Sequence, residues 1–205
     1  MKKRIAALKR KTKETDITLK LNIDGSGKSK INTAIGLLDH MLELFAFHGL
    51  FDLDITAKGD LKVDMHHTNE DVGIVLGQAF KKALGDKKGI KRSGDAIWPM
   101  EEVVATVAVD ISGRGLLKLN TETNPRTARS IAIAVDGYAL KDAEHFFESF
   151  AKNLGMDINI KVGPFNPDLH TTLEPVFKAL GKALDEATQI DPRRKCIPST
   201  KGIID

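Results

Sequence analysis

Two stretches of the chain alternate apolar and polar positions with the two-residue period of a half-buried strand. Across 16–24, Ile17, Leu19, Leu21 and Ile23 share one face. Across 102–111, Val103, Ala105, Val107, Val109 and Ile111 do the same. Gly25-Ser26-Gly27 and Ser112-Gly113-Arg114-Gly115 follow as turns, and segments 22–27 (NIDGSG) and 110–115 (DISGRG) match at a spacing of 88. A helical period comes next in both places. His40, Glu43, Phe45 and Ala46 stand opposite His145, Glu148, Phe150 and Ala151 at a spacing of 105, each set opening a predicted helix. Alternating strands follow at 51–55 and 156–160. His66-His67-Thr68-Asn69-Glu70 then faces His170-Thr171-Thr172-Leu173-Glu174 at a spacing of 104. Both open an amphipathic helix, in which Val72, Leu76, Gly77 and Ala79 match Val176, Leu180, Gly181 and Ala183. Thr68 and Thr172 are expected to cap these helices, because a hydroxyl can accept from a free first-turn N–H.

Three matching blocks in one order make the chain a duplication. The halves are expected at 1–92 and 93–190, with 191–205 as a C-terminal tail. Each half reads strand, strand, helix, strand, helix with further strands between, an α+β pattern rather than βαβ alternation. The jump in spacing from 88 to 105 places an insertion in the second half, expected in the polar stretch near 121–129. The opening MKKRIAALKRKTKET is basic with no apolar run behind it. It reads as a polar strand and not as a secretory signal.

Composition narrows the class. The chain has 205 residues, 41% of them apolar and 29% charged, as a globular protein with its own core would have. Aromatic residues make up only 5%, so the core is expected to be mostly aliphatic. A net charge of +3 is too small to point to nucleic acid, and no apolar run approaches a membrane span. Cys196 is the only cysteine; it excludes an intrachain disulfide and suits a reducing cytoplasm. It reads as an unremarkable tail residue.

Of six histidines, five (His40, His66, His67, His145 and His170) occupy the repeated positions; His48 does not, and reads as a surface or satisfied core residue. Residues three and four apart share a helix face, so His66 and His67 meet Glu70, and His170 meets Glu174. Each half therefore offers an imidazole and a carboxylate from one helix turn, plus a histidine from the preceding helix. Mixed nitrogen and oxygen ligands suit manganese, iron or zinc, and two such sets suggest two metals. Lys178 lies one helical turn beyond Glu174.

At these residues the sequence resembles the imidazoleglycerol-phosphate dehydratase family along nearly its whole length. The segments that carry the resemblance are RKTKET (10–15), IGLLDHML (35–42), HHTNEDVGIVLG (66–77), ALGDKKGIKR (83–92), DISGRG (110–115), EHFFESFAKNLGM (144–156), the Glu174–Leu180 run and PSTKG (198–202). The resemblance implies two halves folded like a domain of ribosomal protein S5, and a cytoplasmic homo-oligomer of 24 subunits built from trimers with sites shared between subunits. It implies two manganese ions held by His40, His66, His67, Glu70, His145, His170 and Glu174. It implies a phosphate clamp of Arg92, Arg114, Lys178, Ser199 and Lys201, and proton transfer by Glu14 or Glu174. The substrate would be imidazoleglycerol phosphate, dehydrated to imidazoleacetol phosphate in histidine biosynthesis, with no nucleic-acid or membrane partner. The proton removed there sits on a carbon with no neighbouring carbonyl. Cations on the two ring nitrogens would favour the deprotonated imidazole, whose electrons expel the adjacent hydroxyl.

The chain departs from the family in three places. Thr171 replaces the second histidine of the second motif, so one of eight ligands is missing, leaving water, Asp168 or an open position to complete that metal. Glu101 stands where the family's Pro-Met-Asp-Glu run has aspartate. The loop before His145 is several residues longer. Three rival readings follow: another dinuclear metalloenzyme acting on a phosphorylated metabolite, an RNA-binding module, and a cage-forming relative with weakened catalysis.

Overall fold

A computed structural model of the chain describes residues 3–121, 134–164, 166 and 168–204. The first half holds β1 (Ile5–Lys11), β2 (Thr15–Asn22), β3 (Ser29–Asn32), α1 (Gly36–Gly49), β4 (Asp52–Gly59) and α2 (His66–Leu84). The second repeats the order with β5 (Ser93–Met100), β6 (Val103–Asp110), β7 (Leu116–Thr121), α3 (Leu140–Leu154), β8 (Asp157–Gly163) and α4 (Leu169–Thr188). The sheets run β1-β2-β4-β3 and β5-β6-β8-β7. In each, three strands are antiparallel and the last, β3 or β7, lies parallel to its neighbour. Identical topologies are what a duplicated sequence should give, and the expected α+β class holds.

The alternation predicted from sequence puts Ile17, Leu19 and Leu21 of β2, and Val103, Ala105, Val107 and Val109 of β6, in the core. The helices lie between the sheets. α2 packs on β1 and β2, α4 on β5 and β6, and across the middle α1 packs on α4 and α2 on α3. The few aromatic residues concentrate in this core: Phe45, Phe51, Phe80, Phe146, Phe147, Phe150 and Phe177 are all fully buried. Close helix approach needs glycine. A Cβ on Gly181 would stand 2.5 Å from the Phe45 carbonyl oxygen, and one on Gly77 2.7 Å from that of Phe150. These two glycines are repeat partners, so both inter-helix contacts use one device.

Several expectations shift. α1 and α3 begin four or five residues before His40 and His145, which therefore sit in the second turn. Thr68 and Thr172 are not caps but buried residues inside the helices. The first free N–H groups are taken by longer-reaching carboxylates: Asp64 accepts from the His66 N–H at 2.8 Å and Asp168 from the His170 N–H at 3.0 Å. Thr172 instead bonds the backbone of Asn166. The basic opening does form an edge strand, β1. The stretch expected to carry the insertion runs from Thr121, the end of β7, into residues outside those described. No helix among the described residues is long and apolar enough to cross a membrane.

Candidate metal centre and active site

Because α1 packs on α4, the His40 ring stacks on that of His170, with centroids 4.9 Å apart. His170 Nε2 lies 2.9 Å from Glu174 Oε2, and His40 Nε2 lies 3.7 Å from the same oxygen. One ligand atom from each residue falls within 4.8 Å of the others, a donor set that fits a divalent cation. Glu174 is largely buried, its side chain 14% exposed, and Lys178 Nζ reaches its other oxygen at 2.5 Å. Burial pushes the Glu174 pKa up. Lys178 and His170, through hydrogen bonds and charge, outweigh burial and hold it below the usual carboxylate value.

The packing of α2 on α3 builds a second group. His145 Nδ1 lies 3.2 Å from His66 Nδ1, and His66 Nε2 lies 3.5 Å from Glu70 Oε2. This group borders a cleft of about 610 Å³ lined by Asp64, His66, Tyr138, Lys141 and His145, among others. His67 turns away toward Asp60, with its Nε2 3.9 Å from Glu14 Oε1. The sequence arranges these histidines by half, whereas the packing pairs them across halves. His40 joins the His170–Glu174 pair, and His145 joins the His66–Glu70 pair.

The residues proposed for phosphate fall into two places. Arg92 forks onto Asp110 at 2.6 and 2.9 Å and donates to the Pro198 carbonyl at 2.9 Å, so it adjoins the tail carrying Ser199 and Lys201. Its guanidinium pKa is raised, first by the Asp110 hydrogen bond. Arg114, with a side chain 72% exposed, holds Asp157, the register partner of Asp110 across β6 and β8. Lys178 stands apart from both, beside Glu174 and 6.0 Å above the Trp98 ring. Arg92 N–H bonds the carbonyl of Ala187, whereas Glu174 lies near the other end of α4, about 20 Å back along a helix rising 1.5 Å per residue.

Several residues in this region carry no ligand motif. Asp71 is buried, accepts from the Thr15 hydroxyl at 2.5 Å, and pairs with Arg10 at 3.0 Å; it holds the β1–β2 turn that presents Glu14. Asn69 joins α2 to α3, donating to the Asp142 carbonyl and accepting from the Tyr138 hydroxyl. His48 sets its ring against Trp98 at 4.6 Å, and burial, then Lys178, push its pKa down against an opposing pull from Glu174. Asp168 is engaged twice, capping α4 and accepting from the Thr171 hydroxyl at 3.0 Å. The run HHTNEDV contains Asn69 and Asp71, but helical periodicity alone does not tell a tethering polar residue from a solvated one.

Fold and site together define a duplicated α+β protein in which helices from opposite halves converge on histidine–carboxylate groups. The model of one family, imidazoleglycerol-phosphate dehydratase, matches residues 33–184. Imidazoleglycerol-phosphate dehydratases of Thermoanaerobacter sp. strain X514 and Acetivibrio thermocellus are 52% and 50% identical, covering 98% and 95% of this chain and 100% and 96% of their own. Among solved structures, the enzyme from Pyrococcus furiosus superposes with a TM-score of 0.78 at 36% identity, covering 96% of this chain and 99% of its own. That from Staphylococcus aureus gives 0.77 at 33%, covering 91% and 99%. The chain belongs to the imidazoleglycerol-phosphate dehydratase family, whose members are metal-dependent.

Proposed function

We propose that this chain dehydrates imidazoleglycerol phosphate to imidazoleacetol phosphate in histidine biosynthesis, as a cytoplasmic enzyme carrying two manganese ions. The observation that carries the reading is the convergence of His40, His170 and Glu174 from opposite halves of a chain belonging to this family. His66, Glu70 and His145 would hold the second metal, and His67, turned toward Asp60 and Glu14, would serve as a ligand apart from that group. Bound cations would stabilise the deprotonated imidazole of the substrate.

The protein's own groups divide the remaining work. Glu174, held ionised by Lys178 and His170, acts as ligand and proton acceptor. Glu14, on its tethered turn beside His67, is the second proton carrier. Arg92, Arg114, Ser199 and Lys201 bind the phosphate, so that binding energy at that end positions the ring, and Lys178 supplies charge on the metal side. The separation along α4 supports a site completed by neighbouring copies, consistent with a 24-subunit assembly of trimers. The halves 1–92 and 93–190 then form the scaffold, and the tail 191–205 serves the phosphate end.

The test is turnover of imidazoleglycerol phosphate by the purified protein, before and after chelation and on adding back Mn²⁺. Loss on chelation and recovery with Mn²⁺ are expected. Hydrolysis of simple phosphate esters with no dehydration would instead favour the rival metalloenzyme, and no turnover despite bound metal the weakened relative.

A further inference from the structure

We propose that Asp60 is a positioning residue that fixes His67 as its Nδ1-protonated tautomer and so presents Nε2 as the metal-binding atom. The inference rests on reading His67 as a metal ligand. Asp60 directly follows the last residue of β4. Both of its carboxylate oxygens lie 3.1 Å from His67 Nδ1. A carboxylate so placed accepts the Nδ1 hydrogen, leaving the ring's lone pair on Nε2, the nitrogen on the Glu14 side. Both side chains are about one-third exposed, so the bond is partly shielded from competing water.

Asp60 also reaches Glu14 through the main chain. Its N–H donates to the Glu14 carbonyl at 3.1 Å, and its own carbonyl accepts from the Val63 N–H at 2.7 Å. One residue thus fixes the backbone of the proposed proton carrier and the ring of the neighbouring ligand. A shift of Asp60 would move Glu14 and His67 relative to each other.

The second half has no counterpart. Thr171 stands opposite His67, and the residue opposite Asp60 is Pro164 or Phe165, depending on whether the helix or the strand spacing is used. Neither has a carboxylate. The Thr171 hydroxyl is turned to Asp168, the helix cap. Among the described residues, the Asp60–His67 pairing therefore has no equivalent in the second half.

The test reads the ring directly in metal-free, full-length protein labelled with ¹⁵N-histidine, by magic-angle-spinning NMR on the alkaline side of imidazole titration. Loss of one signal in His67→Gln assigns the resonance. Wild-type His67 is expected as the Nδ1–H tautomer. Asp60→Ala should shift it toward Nε2–H, and Asp60→Asn, whose amide oxygen still accepts, should largely preserve it. Mn²⁺ titration followed by EPR should show affinity falling roughly 10- to 100-fold in Asp60→Ala and mostly recovered in Asp60→Asn. A wild-type Nε2–H tautomer, or an Asp60→Ala protein unchanged in both measurements, overturns the proposal. If Asp60→Ala does not fold, the wild-type tautomer still decides. Failure to dehydrate imidazoleglycerol phosphate would count against the proposed activity and leave the tautomer result standing.

Discussion

Single carboxylates do much of the local ordering. Asp71 is buried between Arg10 and Thr15. Asp71→Ala leaves the Thr15 hydroxyl without its acceptor and Arg10 without its counter-charge, and should destabilise the fold by about 2 kcal/mol in a urea titration. The turn carrying Glu14 should loosen with it. Asp52 accepts from Ser26 and Lys28 N–H groups, and its pKa is lowered, first by the Ser26 bond. A lowered folded pKa means the stabilisation is present above the unfolded value, about 3.9, and fades as pH falls through the folded value. The urea midpoint of wild type should therefore drop more steeply below about pH 4 than that of Asp52→Asn. The metal-type residues were legible at this scale because histidine is scarce and its placement repeats. Asp60 and Asp71 were not, because aspartate is common on surfaces and only folding shows which ones face a partner.

The sequence pattern marks elements most clearly where one face is buried. β2, β6 and the long amphipathic helices follow the sequence periods because alternate or every third to fourth side chain enters the core. The helices start earlier than the periodicity predicts, because residues before His40 and His145 are held by packing that periodicity does not encode. Threonine does not cap these helices because Asp64 and Asp168, each two residues before the N–H it accepts, reach the free N–H groups first. β3 and β7, edge strands with little buried surface, left no clear alternation. The glycine contacts bear on the site, because close approach of α1 to α4 lets His40 meet His170. Gly181→Ala should require the backbone to move and lose about 1–3 kcal/mol, together with metal affinity. Gly36→Ala, where an added methyl meets nothing within 4 Å, should be neutral or slightly stabilising by thermal denaturation.

At the scale of the whole molecule, Arg92 beside one end of α4 and Glu174 near the other lie about 20 Å apart along the helix in one copy, too far to serve one small substrate. Mixed assemblies test this. Arg92→Ala and His170→Ala proteins, each inactive alone, should regain part of the wild-type rate when co-assembled, because some sites would then combine intact residues from different copies. Absence of any recovery in verified hybrids would mean that each copy works alone. Thr171 adds a second expectation at this scale. Metal titration should resolve two unequal classes of site, and Thr171→His should narrow the gap. Duplication and ligand identity were legible in the sequence, but the partnership of helices across halves was not, because spacing along a chain does not say which face meets which.

That exchange of partners has a historical consequence. A half-length progenitor folding as either half does now would have owned an incomplete ligand set, and two copies related by a twofold axis would have completed both sets at once. Joining them end to end kept the arrangement but released the copies from identity. Only then was one copy free to put threonine where the other keeps histidine.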